Sequence, residues 1–217
     1  MSRVGAVFSA ARDEALLLPI LEAARIEPSD ALRVSLAAYV QLVATWTLRV
    51  DLVSAKDARS LVELLLLDAS VLAGSTLVPR GAKVLDVGAG AGAPTIPLAL
   101  MREDLRFMLL EPRQKRCAFM RTALGTLGLL DRGEVREARL EPGAEAALGS
   151  FDLALSRATF APARWLELGQ RLAPRLLALT AADEPPEAPQ GLKLQAIERY
   201  RVPSTGAPRA ISAYERS

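Results

Sequence analysis

Apolar and polar positions change rhythm once along this chain. Over residues 1–75 the apolar positions fall at helical spacing. Ala15, Leu16, Leu18, Leu21 and Ile26 predict a helix from Ala11 to Arg25 that stops at Glu27-Pro28. Ser29-Asp30 suits the N-cap of a second helix, with Leu32, Leu36, Tyr39, Val40, Val43 and Trp46 along one face. Asp51-Leu52-Val53-Ser54 breaks the pattern, and Lys56-Asp57 leads into a third helix through Leu61, Leu64, Leu65, Asp68 and Leu72. From Lys83 onward short apolar runs alternate with helical stretches. The runs Val84–Val87, Arg106–Glu111, Glu134–Ala138, Phe151–Ser156 and Arg175–Thr180 read as strands. Between them, Pro94–Met101, Arg113 to about Gly128, and Arg164–Leu172 read as helices. Such alternation implies a mostly parallel sheet covered on both faces. Asp183–Gln190 carries Pro185, Pro186 and Pro189 and can be only a loop. Leu192–Val202 and Pro208–Tyr214 flank Ser204-Thr205-Gly206 and predict a terminal antiparallel hairpin.

Composition narrows the chemistry. A chain of 217 residues fits one α/β domain with a short helical annex. Its apolar content of 51% is spread so that no run reaches the roughly 18 residues of a membrane span. Met1-Ser2-Arg3-Val4 lacks the charged, apolar and small-residue sequence of a secretory leader, so a cytoplasmic location is expected. One cysteine, Cys117, and no histidine leave no disulfide framework and no ordinary zinc site, and no metal is expected. The same absence removes the Ser-His-Asp and Cys-His triads. A formal charge of +2 does not by itself point to nucleic acid, for which a local patch is the relevant sign. Arginine outnumbers lysine, as a GC-rich genome alone would produce.

Asp86-Val87-Gly88-Ala89-Gly90-Ala91-Gly92 follows the first predicted strand and opens a helix, the setting of a nucleotide-binding turn. Glycines there serve a tight strand-to-helix turn or let a ligand approach the backbone closely. A dinucleotide pyrophosphate uses free N–H groups at the helix start. Here Pro94 removes one, and Asp86 adds a negative charge that suits a cationic aminoacyl group better than a pyrophosphate. Both features favour S-adenosyl-L-methionine. Glu111, at the end of the second strand, can accept hydrogen bonds from ribose hydroxyls of either cofactor. The cofactor-binding candidates are therefore Asp86, Gly88, Ala89, Gly90, Gly92, Ala93 and Glu111.

Val84-Leu85-Asp86-Val87-Gly88-Ala89-Gly90-Ala91-Gly92-Ala93-Pro94-Thr95-Ile96-Pro97-Leu98-Ala99 resembles the signature of the bacterial 16S ribosomal RNA guanine-N7 methyltransferases, also called glucose-inhibited division protein B. Pro94 and Pro97 are the specific part. Glu111–Met120, Phe151-Asp152 with Ser156-Arg157-Ala158, and Trp46, Asp51–Ser54 and Leu67-Asp68-Ala69 are similar to further segments of that family, in the same order over about residues 30–180. Ala93 and Thr95 stand where the family has Phe and Gly, Asp51 where Asn is usual, Ala69 where Ser is usual, and Leu65 in place of a His.

The resemblance implies a class I methyltransferase-like α/β fold. That is a doubly wound, mostly parallel seven-stranded sheet with an N-terminal helical extension (1–75), a methyltransferase domain (76–217) and a C-terminal antiparallel hairpin. It implies S-adenosyl-L-methionine as cofactor, with Arg139, Leu140 and Glu141 at the adenine rim. It also implies ribosomal RNA or the small ribosomal subunit as partner, with Lys115, Arg116 and Arg157 contacting RNA and Arg157 the catalytic candidate. From the residues alone Arg157 has two open roles: a contact to phosphate or base, or an ion pair with Asp152 or a helix C-terminus. Arg113, Lys115, Arg116 and Arg121 could equally form a solvated helix face. Cys117, Trp46 and Trp165 are expected to pack. Guanine N7 carries a lone pair and no proton, so methylating it requires no general base, in keeping with a chain without histidine. Three functions stay open: the ribosomal RNA methyltransferase, a methyltransferase of the same fold with another substrate, and a non-catalytic binding protein.

Overall fold

The computed structural model of the chain describes residues 8–141, 143 and 145–217. The leader reading of Met1–Val4 lies outside them. Five strands, β1 (Lys83–Val87), β2 (Arg106–Glu111), β3 (Gly133–Glu137), β4 (Leu153–Arg157) and β5 (Arg175–Thr180), are parallel. β6 (Leu192–Arg201) and β7 (Pro208–Arg216) form an antiparallel hairpin whose β7 pairs antiparallel with β5. The seven strands run in the order β3-β2-β1-β4-β5-β7-β6. The fold is the doubly wound, mostly parallel α/β sheet with helical N-terminal extension and C-terminal hairpin.

Strand alternation divides the core. Val84, Phe107, Leu109, Leu153, Leu155 and Leu177 face one layer, and Leu85, Met108, Leu110, Ala154, Leu176 and Ala178 face the other. The first layer is the larger. It takes up α3 (Asp30–Thr47), α4 (Ala58–Gly74), α5 (Thr95–Met101) and α6 (Gln114–Thr126), together with Leu17, Ile20 and Leu21 from the start of the chain. The second is closed by α7 (Pro162–Gly169), where buried Trp165 donates its indole N–H to the Leu177 carbonyl at 2.8 Å. The helical extension therefore shares one core with the sheet.

Most boundaries fall where the chain signals them. Ser29 caps α3 by accepting from the Leu32 N–H at 3.2 Å, and Asp57 forms a capping box with Ser60 at the start of α4. The first predicted helix differs. It is α1 (Ala10–Asp13), a 3-10 turn over Glu14–Leu17, and α2 (Leu18–Ala23). Pro19 is the cause: it has no N–H to bond back one turn, and its ring crowds the carbonyl it would have met.

Among the described residues, one hydrogen bond joins the helical layer to the glycine loop. The hydroxyl of fully buried Tyr39, on α3, donates to the Ala91 carbonyl at 2.8 Å. Tyr39→Phe leaves that carbonyl unsatisfied in the interior and is expected to lower unfolding free energy by about 1–2 kcal/mol in urea titrations. An unchanged midpoint at equal slope would mean that this bond contributes no net stability.

Candidate functional site

Strand order reverses between β1 and β4, and in open α/β sheets the crevice beyond the strand C-termini at that reversal is where ligands bind. β1 delivers the glycine loop to this crevice, and β4 delivers Arg157. Both line one cavity of about 970 Å³, at the upper end of the usual small-molecule range of roughly 300–1,000 Å³. The segment 52–54 and helix α4 form another wall, and the turn and adjoining strand ends of the β6–β7 hairpin close the far side.

The loop's path requires its glycines. Gly88 and Gly92 have φ of +77° and +79°, which side chains rarely adopt. A Cβ on Gly88 would lie 2.2 Å from the Thr159 hydroxyl oxygen, and one on Gly92 2.4 Å from Ile96 Cδ1. Gly88 and Ala89 donate their N–H groups to the Leu110 carbonyl at 2.8 and 3.2 Å, which ties the loop to the end of β2. Gly88, Ala89, Gly90, Ala91 and Ala93 present themselves to the cavity, while Gly92 turns toward Ile96.

Glu111 and Asp86 are buried beneath the loop, outside the cavity lining. One Glu111 carboxylate oxygen accepts from the Gly90 N–H and the other from the Arg113 N–H, both at 3.0 Å. Each oxygen keeps a further lone pair. Asp86 accepts from the Thr95 hydroxyl at 2.7 Å. Burial pushes its carboxyl up to about 7, while the Thr95 bond and the Arg157 charge pull the other way. Burial therefore works against the full negative charge expected of Asp86. Thr95, a departure from the resembled signature, supplies the one hydrogen bond this carboxyl receives among the described residues.

Arg157 settles into an ion pair, and the partner is neither Asp152 nor a helix terminus. Its Nη1 donates to Asp68 Oδ2 at 2.9 Å and to the Leu64 carbonyl at 2.7 Å, both on α4. Asp152 instead accepts from the Lys83 backbone N–H at 2.8 Å. Asp68 Oδ1 accepts from the Tyr200 hydroxyl of β6 at 2.7 Å, so one carboxylate holds β4 and the hairpin together. Burial and that adjacent carboxylate push Tyr200 far up, which keeps it a protonated donor. One turn earlier on α4, Glu63 accepts from the backbone N–H and the hydroxyl of Ser204 in the hairpin turn.

The remaining candidates divide. Arg116 lines the cavity and donates through Nε and Nη2 to the Asp51 carbonyl at 3.0 and 2.8 Å, which fastens α6 to the 51–54 segment. Lys115 is exposed and makes no polar contact among the described residues. Arg139 and Glu141 are exposed on the loop after β3, Leu140 packs on the second core layer, and none of the three lines the cavity. Cys117 and Trp165 are buried, and Trp46 meets Phe119 edge-on at 5.6 Å between ring centroids. Sequence reasoning did not single out Glu63, Tyr200 or Arg209 for the site. For Glu63 and Asp68 a signal existed: two acids interrupt the long apolar run Leu61–Leu72. Tyr200 and Arg209 carry none, because only the register of the hairpin brings them to the cavity.

The buried Asp86 carboxyl makes stability pH-dependent. Its folded value lies above the unfolded one near 4, so its stabilising contribution is full below about pH 4 and is lost as pH rises through about 7. The loss is on the order of 4 kcal/mol for a shift of this size. Asp86→Asn is expected to flatten the decline in denaturant midpoint between pH 5 and pH 8; equal slopes for variant and parent would show that Asp86 ionises normally.

Residues 33–209 match the family described as rRNA small subunit methyltransferase G. The chain is 34% identical over 205 residues to the ribosomal RNA small subunit methyltransferase G of Anaeromyxobacter dehalogenans strain 2CP-C, covering 90% of this chain and 94% of that protein. It is 40% identical over 129 residues to the protein of the same name from Frankia casuarinae, covering 57% of this chain and 46% of the relative, so it aligns with about half of that longer protein. Among solved structures, a protein in the NADB-Rossmann superfamily from Streptococcus agalactiae superposes with a TM-score of 0.51 at 16% identity, over 69% of this chain and 67% of that one, a likeness of fold alone.

Proposed function

We propose that this chain, which belongs to the rRNA small subunit methyltransferase G family, methylates N7 of a guanine in small-subunit ribosomal RNA with S-adenosyl-L-methionine as donor. The observation that carries this reading is the convergence of the glycine loop and Arg157 on one cavity at the sheet reversal. A substrate in the ribosome would put the chain in the cytoplasm.

The residues present fit the donor. The left-handed Gly88 and Gly90 bring bare backbone to the cavity wall. Glu111 holds the loop through the Gly90 N–H and keeps lone pairs for ribose hydroxyls. The donor supplies a methyl group on a sulfonium centre. Asp86 lies close under the loop, and a cation bound above it would draw its carboxyl toward the ionised form. Ala93 extends the loop wall, and Gly92 fixes the turn into α5. Arg139, Leu140 and Glu141 are assigned to the adenine rim by resemblance; they lie outside the cavity lining.

Arg157 is the group we assign to the target base. Its Nη1 is occupied by Leu64 and Asp68, while Nε and Nη2 make no hydrogen bond among the described residues. Guanine displays O6 and N7 on the same edge, so a donor on O6 would hold N7 in line without covering it. No side chain has to remove a proton. Orientation alone can lower such a barrier by about 7–11 kcal/mol in favourable cases. Lys115 and Arg116 are assigned to RNA phosphates near the cavity mouth.

Two measurements test the reading. Mass mapping of small-subunit rRNA from a deletion strain is expected to show loss of one N7-methylguanosine; an unchanged complement would sink the substrate assignment. Titration calorimetry with S-adenosylhomocysteine is expected to show Glu111→Ala and Glu111→Gln weakened by roughly 10–100-fold, the effect of losing charge-assisted hydrogen bonds. Unaltered binding would remove Glu111 from the cofactor site.

A further inference from the structure

The charged groups of the cavity wall are unequally satisfied. Asp68 spends both carboxylate oxygens on Arg157 and Tyr200, and Glu63 spends both on Ser204. Arg157 is paired, and Arg116 is held by the Asp51 carbonyl. Arg209, on the first turn-side residues of β7, also lines the cavity and is half-buried. Its only side-chain hydrogen bond among the described residues runs from Nη1 to the carbonyl of its own neighbour Pro208, at 3.2 Å. Glu184, the remaining acid of the wall, is exposed and makes no ion pair among the described residues.

Its position is set by register. Arg209 pairs with Tyr200 across the hairpin, and Tyr200 is anchored to α4 through Asp68. The backbone that carries Arg209 is thus held at the far side of the cavity from the glycine loop, with Arg157 between. A guanidinium kept partly out of water without an anionic partner is costly, and its planar fork matches the oxygens of a phosphate.

We propose that Arg209 receives a backbone phosphate of the RNA substrate beside the target nucleotide, making the β6–β7 hairpin the wall that seats the acceptor strand. This assignment rests on the RNA reading above. It adds a site on an element that the glycine loop and the Glu111 and Arg157 segments do not include. The hairpin's two ties to α4, Asp68–Tyr200 and Glu63–Ser204, then serve to hold the phosphate seat at a set distance from Arg157.

The experiment uses small ribosomal subunits from a deletion strain, with wild type, Arg209→Gln and Arg209→Lys. Arg209→Gln is expected to raise KM about tenfold, by more than kcat falls, as loss of one charge-assisted contact should. Its plot of log Kd against log salt concentration is expected to be shallower by about one unit, one counterion fewer being released. Arg209→Lys should restore that slope and part of the affinity. S-adenosylhomocysteine binding should match wild type in both variants. A wild-type salt slope and KM in Arg209→Gln would overturn the assignment. So would weakened S-adenosylhomocysteine binding with an unchanged salt slope, which marks a structural role. If wild type itself transferred no methyl group to the subunits, the substrate reading would fall and this assignment with it; an active wild type beside an indifferent Arg209→Gln overturns the assignment alone.

Discussion

The carboxylate of Asp68 is where three separate parts of the chain are joined. It sits on α4, accepts from Arg157 at the end of β4, and accepts from Tyr200 on the hairpin. Burying a carboxylate is costly unless donors replace the water it has lost, and here a guanidinium and a hydroxyl do so. The helical segment, the parallel sheet and the antiparallel edge thereby close around one cavity. Without that carboxylate, Arg157 would be a poorly compensated charge, and of the hairpin's hydrogen bonds to α4 among the described residues those to Glu63 would remain.

The same frugality governs the glycine loop. Its backbone is fixed from behind by Tyr39, from the side by the Leu110 carbonyl, and from below by Glu111. None of these contacts consumes the surface that faces the cavity. Asp86 is the exception to full satisfaction: a single hydroxyl bond does not compensate its burial, and its carboxyl rises to about 7. A chain without histidine therefore still carries a group that titrates near neutrality beside its binding loop. In-line transfer to an unprotonated nitrogen asks for positioned donors and an enclosed wall, and that is what these residues form.

Much of this was legible in the residue order. The change from helical to strand rhythm at Lys83, the caps at Ser29 and Asp57, and the short apolar runs of β1, β2 and β5 each record a local rule that the fold obeys. The loop's glycines were legible for the same reason, since left-handed backbone is a local demand. Pro19 was equally visible, and its effect on the first helix follows from its missing N–H; the apolar spacing around it masked the break.

The sequence by itself determined the elements, their order, the position of the glycine loop and the two acids associated with it, because these follow from spacing and backbone preference within a few residues. It also excluded histidine chemistry outright. Only the tertiary structure decided who meets whom across the cavity: Arg157 with Asp68 instead of Asp152, Tyr39 with the Ala91 carbonyl, Tyr200 and Ser204 with α4, and Arg209 without an anion among the described residues. Those contacts join residues far apart in the chain. They depend on strand register and on which helix lies over which strand, and no local pattern encodes either.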